Sequence, residues 1–178
     1  MLDDEQLIGR VAQADHAAFR IFVERHLERV HRIAWHMLAD HGEAEEITQE
    51  ALTRVWVHAP EFDVERGVRF TTWLHRVVVN LCLDRLRRRR VHAPIDAAAG
   101  VPDAAPHPLA RIAQRQTESQ VAAALADLPE RQRMAVVLSY YERMSNAEAA
   151  AALGIGVGAL EGLLVRARRG LRRMLEGG

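Results

Sequence analysis

Residues 70–90 read FTTWLHRVVVNLCLDRLRRRR, and their spacing decides the fold. Phe70, Trp73, Leu74, Val77, Val78 and Leu81 recur at the period of a helix with one apolar face. Thr71 or Thr72 is a suitable N-cap, so the helix is predicted to start there. Arg76, Asn80 and Arg87 project within about 40° of each other on the opposite side. Arg85 and Arg88 fall at the buried azimuth, where an unpaired guanidinium is not tolerated. The helix is therefore expected to project beyond its bundle from about Asp84 onward. Such a basic end, entered along an Arg/Asn stripe, suits nucleic acid: Arg grips phosphate and Asn bonds a base edge.

The rest of the chain gives this helix its setting. With 178 residues it has room for one ordinary domain or two small ones. It is 49% hydrophobic but only 5% aromatic, a mix that favours helix over strand. All 24 basic residues are arginine, against 24 acidic ones, yet the balance is uneven. Residues 83–90 hold five Arg and one Asp, and residues 164–178 hold five Arg and one Glu. Two short cationic patches on a neutral chain point to localised phosphate contact, while either patch alone is equally a solvated helix end.

Several classes are set aside. One cysteine, Cys82, permits no internal disulfide and suits a reducing compartment. The opening MLDDEQLIGR is acidic and lacks the order of a signal peptide, so a cytoplasmic location is expected. The longest apolar run, residues 149–160, holds three glycines and is too short to span a membrane. His26, His31, His36 and His41 recur every five residues, which turns each about 140° from the last and gives no metal face. No Cys/His or Ser/His spacing suggests catalysis, and GIGVG lacks the strand and Gly-Lys-Ser/Thr of a phosphate loop. Neither an enzyme nor a cofactor or metal is expected.

Pro94, Pro102, Pro106 and Pro108 crowd a segment without helical or strand period. The expected architecture is all-α: a helical bundle over residues 1–91, a flexible Pro/Ala-rich linker over 92–114, and a helix-turn-helix domain over 115–178. In the first unit a long helix is expected to break at Gly42, and EAEEITQEALTRVWVHA forms the next, ending near Pro60. There Ala44, Ile47, Ala51 and Val55 make the buried stripe, with Glu43, Glu46, Gln49, Glu50 and Thr53 opposite and Leu52 and Trp56 at a border. A border tryptophan suits a core edge and a docking anchor alike, and its angle does not separate them. In the second unit Ser145 caps a short alanine-rich helix and LGIG makes the turn. A longer helix follows, with Leu160, Leu163, Leu164, Ala167, Leu171 and Met174 expected inside. Gly158, Gly162, Arg166, Arg169, Arg172 and Arg173 lie opposite, small residues first and cations later, as in a recognition helix.

Taken together, EITQEALTRVW, EFDVERGVRFTTWLHRVVVN, the Pro-rich gap and LPERQRMAVVLSYYERMSNAEAAAALGI resemble the bacterial sigma factors, specifically the small two-domain extracytoplasmic-function (ECF) group. The resemblance implies a subunit that binds core RNA polymerase, through the largest-subunit clamp and the flap, and directs it to promoter DNA. It implies that Glu46, Gln49, Glu50, Leu52, Thr53 and Trp56 dock on the clamp. It implies −10 contacts from Val68, Arg69, Phe70, Trp73, Arg76 and Asn80, and from Asp84, Arg87, Arg88 and Arg90 along the arginine block. The −35 element would meet Val157, Gly158, Glu161, Gly162, Arg166 and Arg169. An anti-sigma factor is an implied partner, and the linker would thread the polymerase cleft. Housekeeping members place two adjacent tryptophans where this chain has Arg76 and Val77, which implies less ready melting of DNA. Many ECF members carry basic or hydroxyl residues where Glu161, Gly162 and Leu163 stand. The alternative is a sigma-like decoy that sequesters an anti-sigma factor; such decoys usually carry a phosphoreceiver domain, and no βα repeats occur.

Overall fold

The computed structural model describes residues 2–62, 69–92 and 124–176. Val68 and nearly all of the expected linker lie outside the described residues. Two all-α units are present on either side of residues 93–123.

Local chemistry sets the helix ends of the first unit. Helix α1, Asp4–Val11, begins in a capping box: Asp3 Oδ1 accepts from the Gln6 amide at 2.7 Å, and the Asp3 amide donates to Gln6 Oε1. Helix α2, His16–Leu38, is capped by Asp15, which accepts from the amides of Ala17 and Ala18. It stops at Ala39, whose backbone is left-handed (φ 52°), and Asp40 then caps α3, His41–His58, through the Glu43 amide. The break expected at Gly42 thus falls three residues earlier, and Gly42 sits inside α3. Pro60 closes α3 through a 3₁₀ turn, Ala59–Glu61. Helix α4, Phe70–His92, starts at Phe70 and not at the threonines: the amides of Thr72 and Trp73 bond to the Arg69 carbonyl.

Helix α4 is the hub of the first unit. Phe70, Leu74, Val78 and Cys82 have no exposure and Leu86 very little, so one stripe is buried for its whole length against α2 and α3. Trp73, Val77 and Leu81, expected inside, are only half-buried. The helix also does not project past Asp84. Arg85 donates to Glu46 at 2.9 Å, while Arg89 binds the Glu43 carboxylate and the Leu38 carbonyl. Arginine at a core azimuth is tolerated here because the acidic first turns of α3 lie beside it and supply charge-assisted partners.

In the second unit α5, Glu130–Val136, runs into a π-helical turn, Val137–Tyr141, closed by the Glu142 amide on the Val137 carbonyl. Ser145 caps α6, Asn146–Leu153, in a capping box with Glu148, as the sequence suggests. Gly154 at φ 65° ends it, a conformation that would strain any side chain, and the chain turns through 97° into α7, Val157–Glu176. Leu160, Leu164 and Ala167 are buried in the same core as Met134, Val137 and Leu138. Gly170 makes a close approach: a Cβ there would lie 3.1 Å from the Leu128 side chain, which would have to give way slightly. Leu163 and Leu171 are half-buried and Met174 is 38% exposed, so the inner face of α7 is narrower than expected.

The two units touch. Helix α6 lies against α4, and Arg133, itself buried, donates to the Met37 carbonyl at the end of α2. His36 packs on Tyr141 with ring centroids 4.1 Å apart. Burial pushes the His36 and His75 imidazoles down to about 4. Each ring stays neutral in the fold but takes a proton below about 6.5 once released, so the unfolded chain binds more protons between those values. Stability is expected to be full above pH 6.5 and to decline steadily towards pH 4. Urea unfolding at pH 7.5, 6 and 5, above most carboxylate titration, checks this; equal midpoints would show that the rings are not held neutral.

Candidate nucleic-acid and partner interface

Three surfaces carry the residues that the sequence singles out. On α3, Glu46, Gln49, Glu50 and Thr53 are all exposed on one side. They form, with Leu81, Asp84 and Arg88 of α4, the walls of a shallow groove. Local bonds hold this face in order: Thr53 Oγ1 donates to the Gln49 carbonyl at 2.8 Å, and Arg54 pairs with Glu50 at 2.9 Å. Leu52 is only 7% exposed and serves the core more than the groove. Trp56 is half-buried, stacked on His16 at 4.7 Å and edge-on to Phe19 at 5.0 Å. One part of the ring closes the α2–α3 seam, as a core-edge tryptophan does, and the other part stays open.

The second surface runs along α4. Arg69, Arg76, Asn80, Asp84, Arg87, Arg88 and Arg90 are exposed. Arg76 and Asn80 stand one turn apart on one side. Phe70 is fully buried, edge-on to Phe22 and Phe62, so as folded it supports the start of α4 and offers no surface. Trp73 is half-buried beside Phe62 and Phe70. The arginine block is divided in its work: Arg85 and Arg89 fasten α4 to α3, Arg87 sits 3.5 Å from Asp84, and Arg90 reaches Glu130 of the second unit at 3.2 Å. Arg76 Nη2 donates to the Ala151 carbonyl at 2.8 Å, so its guanidinium is already engaged by the end of α6.

The third surface is the exposed side of α7. Val157, Gly158 and Glu161 are open near its start. Glu161 Oε1 accepts from the Asn146 side-chain amide at 3.3 Å, a partner from the first turn of α6 and not the arginine that charge alone suggests. Arg166 folds back so that its guanidinium lies 3.6–3.9 Å from where a Cβ at Gly162 would stand. Arg166, Arg169 and Arg173 border a cleft shared with Asp127 and Gln132. Among the described residues no group of His, Cys, Asp and Glu is placed to hold a metal, and no single helix is long and apolar enough to cross a membrane.

One cluster has no counterpart in the sequence reading. Glu142, its side chain 1% exposed, accepts from Arg29 and Arg32 of α2, each at 2.8 Å. Arg29 also donates to the Glu142 carbonyl. The residues are more than a hundred positions apart, and the π-turn that aims Glu142 leaves no periodic trace.

A helix-turn-helix unit with exposed arginines on its last helix, beside a bundle with an acidic face and an Arg/Asn stripe, has the form of a DNA-binding protein. Comparison with known families makes this specific. Residues 22–91 match Sigma-70 region 2, and residues 118–171 match Sigma-70, region 4. The chain is 35% identical to the ECF RNA polymerase sigma factor SigM of Mycobacterium tuberculosis (strain ATCC 25618 / H37Rv), over 97% of this chain and 84% of that one. It is 29% identical to SigW of Bacillus subtilis (strain 168), over 95% of each. The structure of CnrH in complex with the cytosolic domain of CnrY superposes with a TM-score of 0.74 at 27% identity, covering 98% of this chain and 97% of that one. The chain belongs to the ECF RNA polymerase sigma factors, which direct transcription initiation with core polymerase and are not enzymes.

The two aromatic positions separate by substitution. Phe70→Ala is expected to lose about 3–5 kcal/mol of stability. Trp56→Ala, with less of its ring inside, should lose about half as much. Urea unfolding followed by circular dichroism measures both; a larger loss at Trp56 would make that ring primarily core.

Proposed function

We propose that this sigma factor docks on core RNA polymerase through Glu46, Gln49, Glu50, Thr53 and the open part of Trp56. It holds the unpaired strand of the −10 element along Arg69, Trp73, Arg76 and Asn80, with Asp84, Arg87, Arg88 and Arg90 along the flanking duplex. Helix α7 enters the major groove at the −35 element, where Val157, Gly158, Glu161 and Gly162 approach base edges and Arg166 and Arg169 grip phosphate. The observation that carries this reading is the presence of both sigma regions, in order, over residues 22–91 and 118–171. The protein works in the cytoplasm and is held in check by an anti-sigma factor, in keeping with the CnrH–CnrY pairing of its structural relative.

The division of labour has a chemical rationale. An amide at Asn80 pairs with a base only when the strand is open, whereas guanidinium on phosphate is indifferent to sequence. Glu161 is repelled by phosphate yet can accept from cytosine N4, and its carboxylate also accepts from the Asn146 side-chain amide at 3.3 Å. Loss of the cytosine contact is worth about 1–3 kcal/mol at one base position.

Transcription with purified core polymerase on fragmented genomic DNA, followed by mapping of start sites, tests the whole reading. Defined start sites sharing a −35 and a −10 sequence are expected. A chain that binds core without producing any start site acts as a decoy instead. In a randomised −35 library, Glu161→Ala should relax preference at one position, while Arg166→Ala should weaken all sequences alike. An unaltered preference in the Glu161 variant overturns its role as a base reader.

A further inference from the structure

We infer that Asn146 is a positioning residue for base readout at the −35 element: its side-chain amide fixes the Glu161 carboxylate for the base that Glu161 selects. The inference rests on Glu161 as a base reader, and it adds a specificity determinant on the other helix of the turn.

Asn146 opens α6 and Glu161 stands in the second turn of α7, on helices set 97° apart. The Asn146 Nδ2 donates to Glu161 Oε1 at 3.3 Å, across 15 positions of sequence. Among the described residues this is the one hydrogen bond that the Glu161 carboxylate accepts. The Asn146 side chain has no duty in holding α6 together. Ser145 makes the cap, and Glu148 closes the capping box on the Ser145 amide and hydroxyl. Asn146 is also exposed, so its side chain fills no part of the core. What it does in the fold is to reach across the turn to Glu161.

The chemistry of the donor matters as much as its place. An exposed glutamate turns freely about its side-chain bonds, and a base contact has to overcome that entropy. A bond already made in the free chain removes part of the cost before DNA arrives. An arginine in this place would also hold the carboxylate, but it would engage both oxygens and cancel their charge, leaving little for cytosine N4. The neutral amide takes one lone pair of Oε1 and leaves Oε2 and the negative charge for the base. The first arginine of α7, Arg166, lies over Gly162, 3.6–3.9 Å from where a Cβ would stand, and does not pair with Glu161. At 3.3 Å the amide bond is long for N–H···O and open to water, so in the free chain it biases the carboxylate without locking it. In a groove from which water is displaced the same bond is stronger.

Holoenzyme reconstituted with purified core polymerase, on promoters randomised across the −35 element, tests this with Asn146→Ala, Asn146→Gln, Glu161→Ala and the double alanine variant. Glu161→Ala should lose roughly 5- to 150-fold of discrimination at one base position. Asn146→Ala should lower the preference at that same position by about two- to tenfold, the net worth of one hydrogen bond, and leave the other positions as they are. The double variant should be no less selective than Glu161→Ala, because the amide acts only through the carboxylate. Asn146→Gln, which keeps the donor on a longer arm, should restore part of the preference. Ser145 keeps the cap in every variant, so all should unfold at the wild-type temperature. Wild-type preference in Asn146→Ala beside a relaxed one in Glu161→Ala overturns the positioning role and leaves the base reader standing. A loss spread evenly over all positions in Asn146→Ala overturns it too, since that is the mark of a phosphate contact. An unaltered preference in Glu161→Ala removes the reader, and the positioning role with it.

Discussion

Everything in this molecule depends on α4 being shared. One stripe of the helix, from Phe70 through Leu74, Val78 and Cys82 to Leu86, is the spine of the first domain. The adjoining sides carry Arg76 and Asn80 outward and bring His75 and Val79 under cover where α6 lies against the helix. A helix has only 3.6 residues per turn, so it cannot give a full face to a core, a second domain and a nucleic acid at once. The side that carries Arg76 and Asn80 stays exposed beside the side that the second domain covers, and Arg76 alone of the two reaches across to it.

The arginine block shows how the same residue type is put to different uses by its neighbours. Arg85 and Arg89 lie beside Glu43 and Glu46, where a positive charge at a core azimuth becomes a fastening. Arg87, Arg88 and Arg90, one or two positions away, face solvent. Exposed ion pairs such as Arg87 with Asp84 contribute little stability, so these side chains can exchange that partner for phosphate at small cost. Glu142 is the opposite case. Its desolvated carboxylate is tolerated only while charge-assisted bonds from Arg29 and Arg32 satisfy it.

Much of this was legible in the sequence. The three-and-four spacing in residues 70–90, the Ser145 cap and the Gly154 turn each act within a few residues, and the structure has them as read. Glu46, Gln49, Glu50 and Thr53 stand together on α3 for the same reason. What the sequence did not disclose is non-local. Helical angle gives a direction but not the partner waiting there, so Arg85 reads as a sign of projection although the carboxylates of α3 hold it, while Phe70 is buried where its spacing puts it and Leu52, a border position by angle, is nearly buried. Helix α1 was missed because its capping box is followed by only three buried residues, Leu7, Ile8 and Val11. The Arg29–Arg32–Glu142 cluster joins positions more than a hundred apart through a π-turn, and no local pattern announces it.

The most direct measurement is the distance between the two domains in the free chain and in the promoter-bound holoenzyme. Dyes at Arg20→Cys on α2 and Arg131→Cys on α5 report it, because both positions are exposed. The native Cys82 does not take label: it is fully buried, and burial pushes its thiol up to about 12. High energy transfer in the free protein, falling nearly to nothing on promoter-bound polymerase, is the predicted result. Equal transfer in the two states would contradict a factor that is closed when free and open at work.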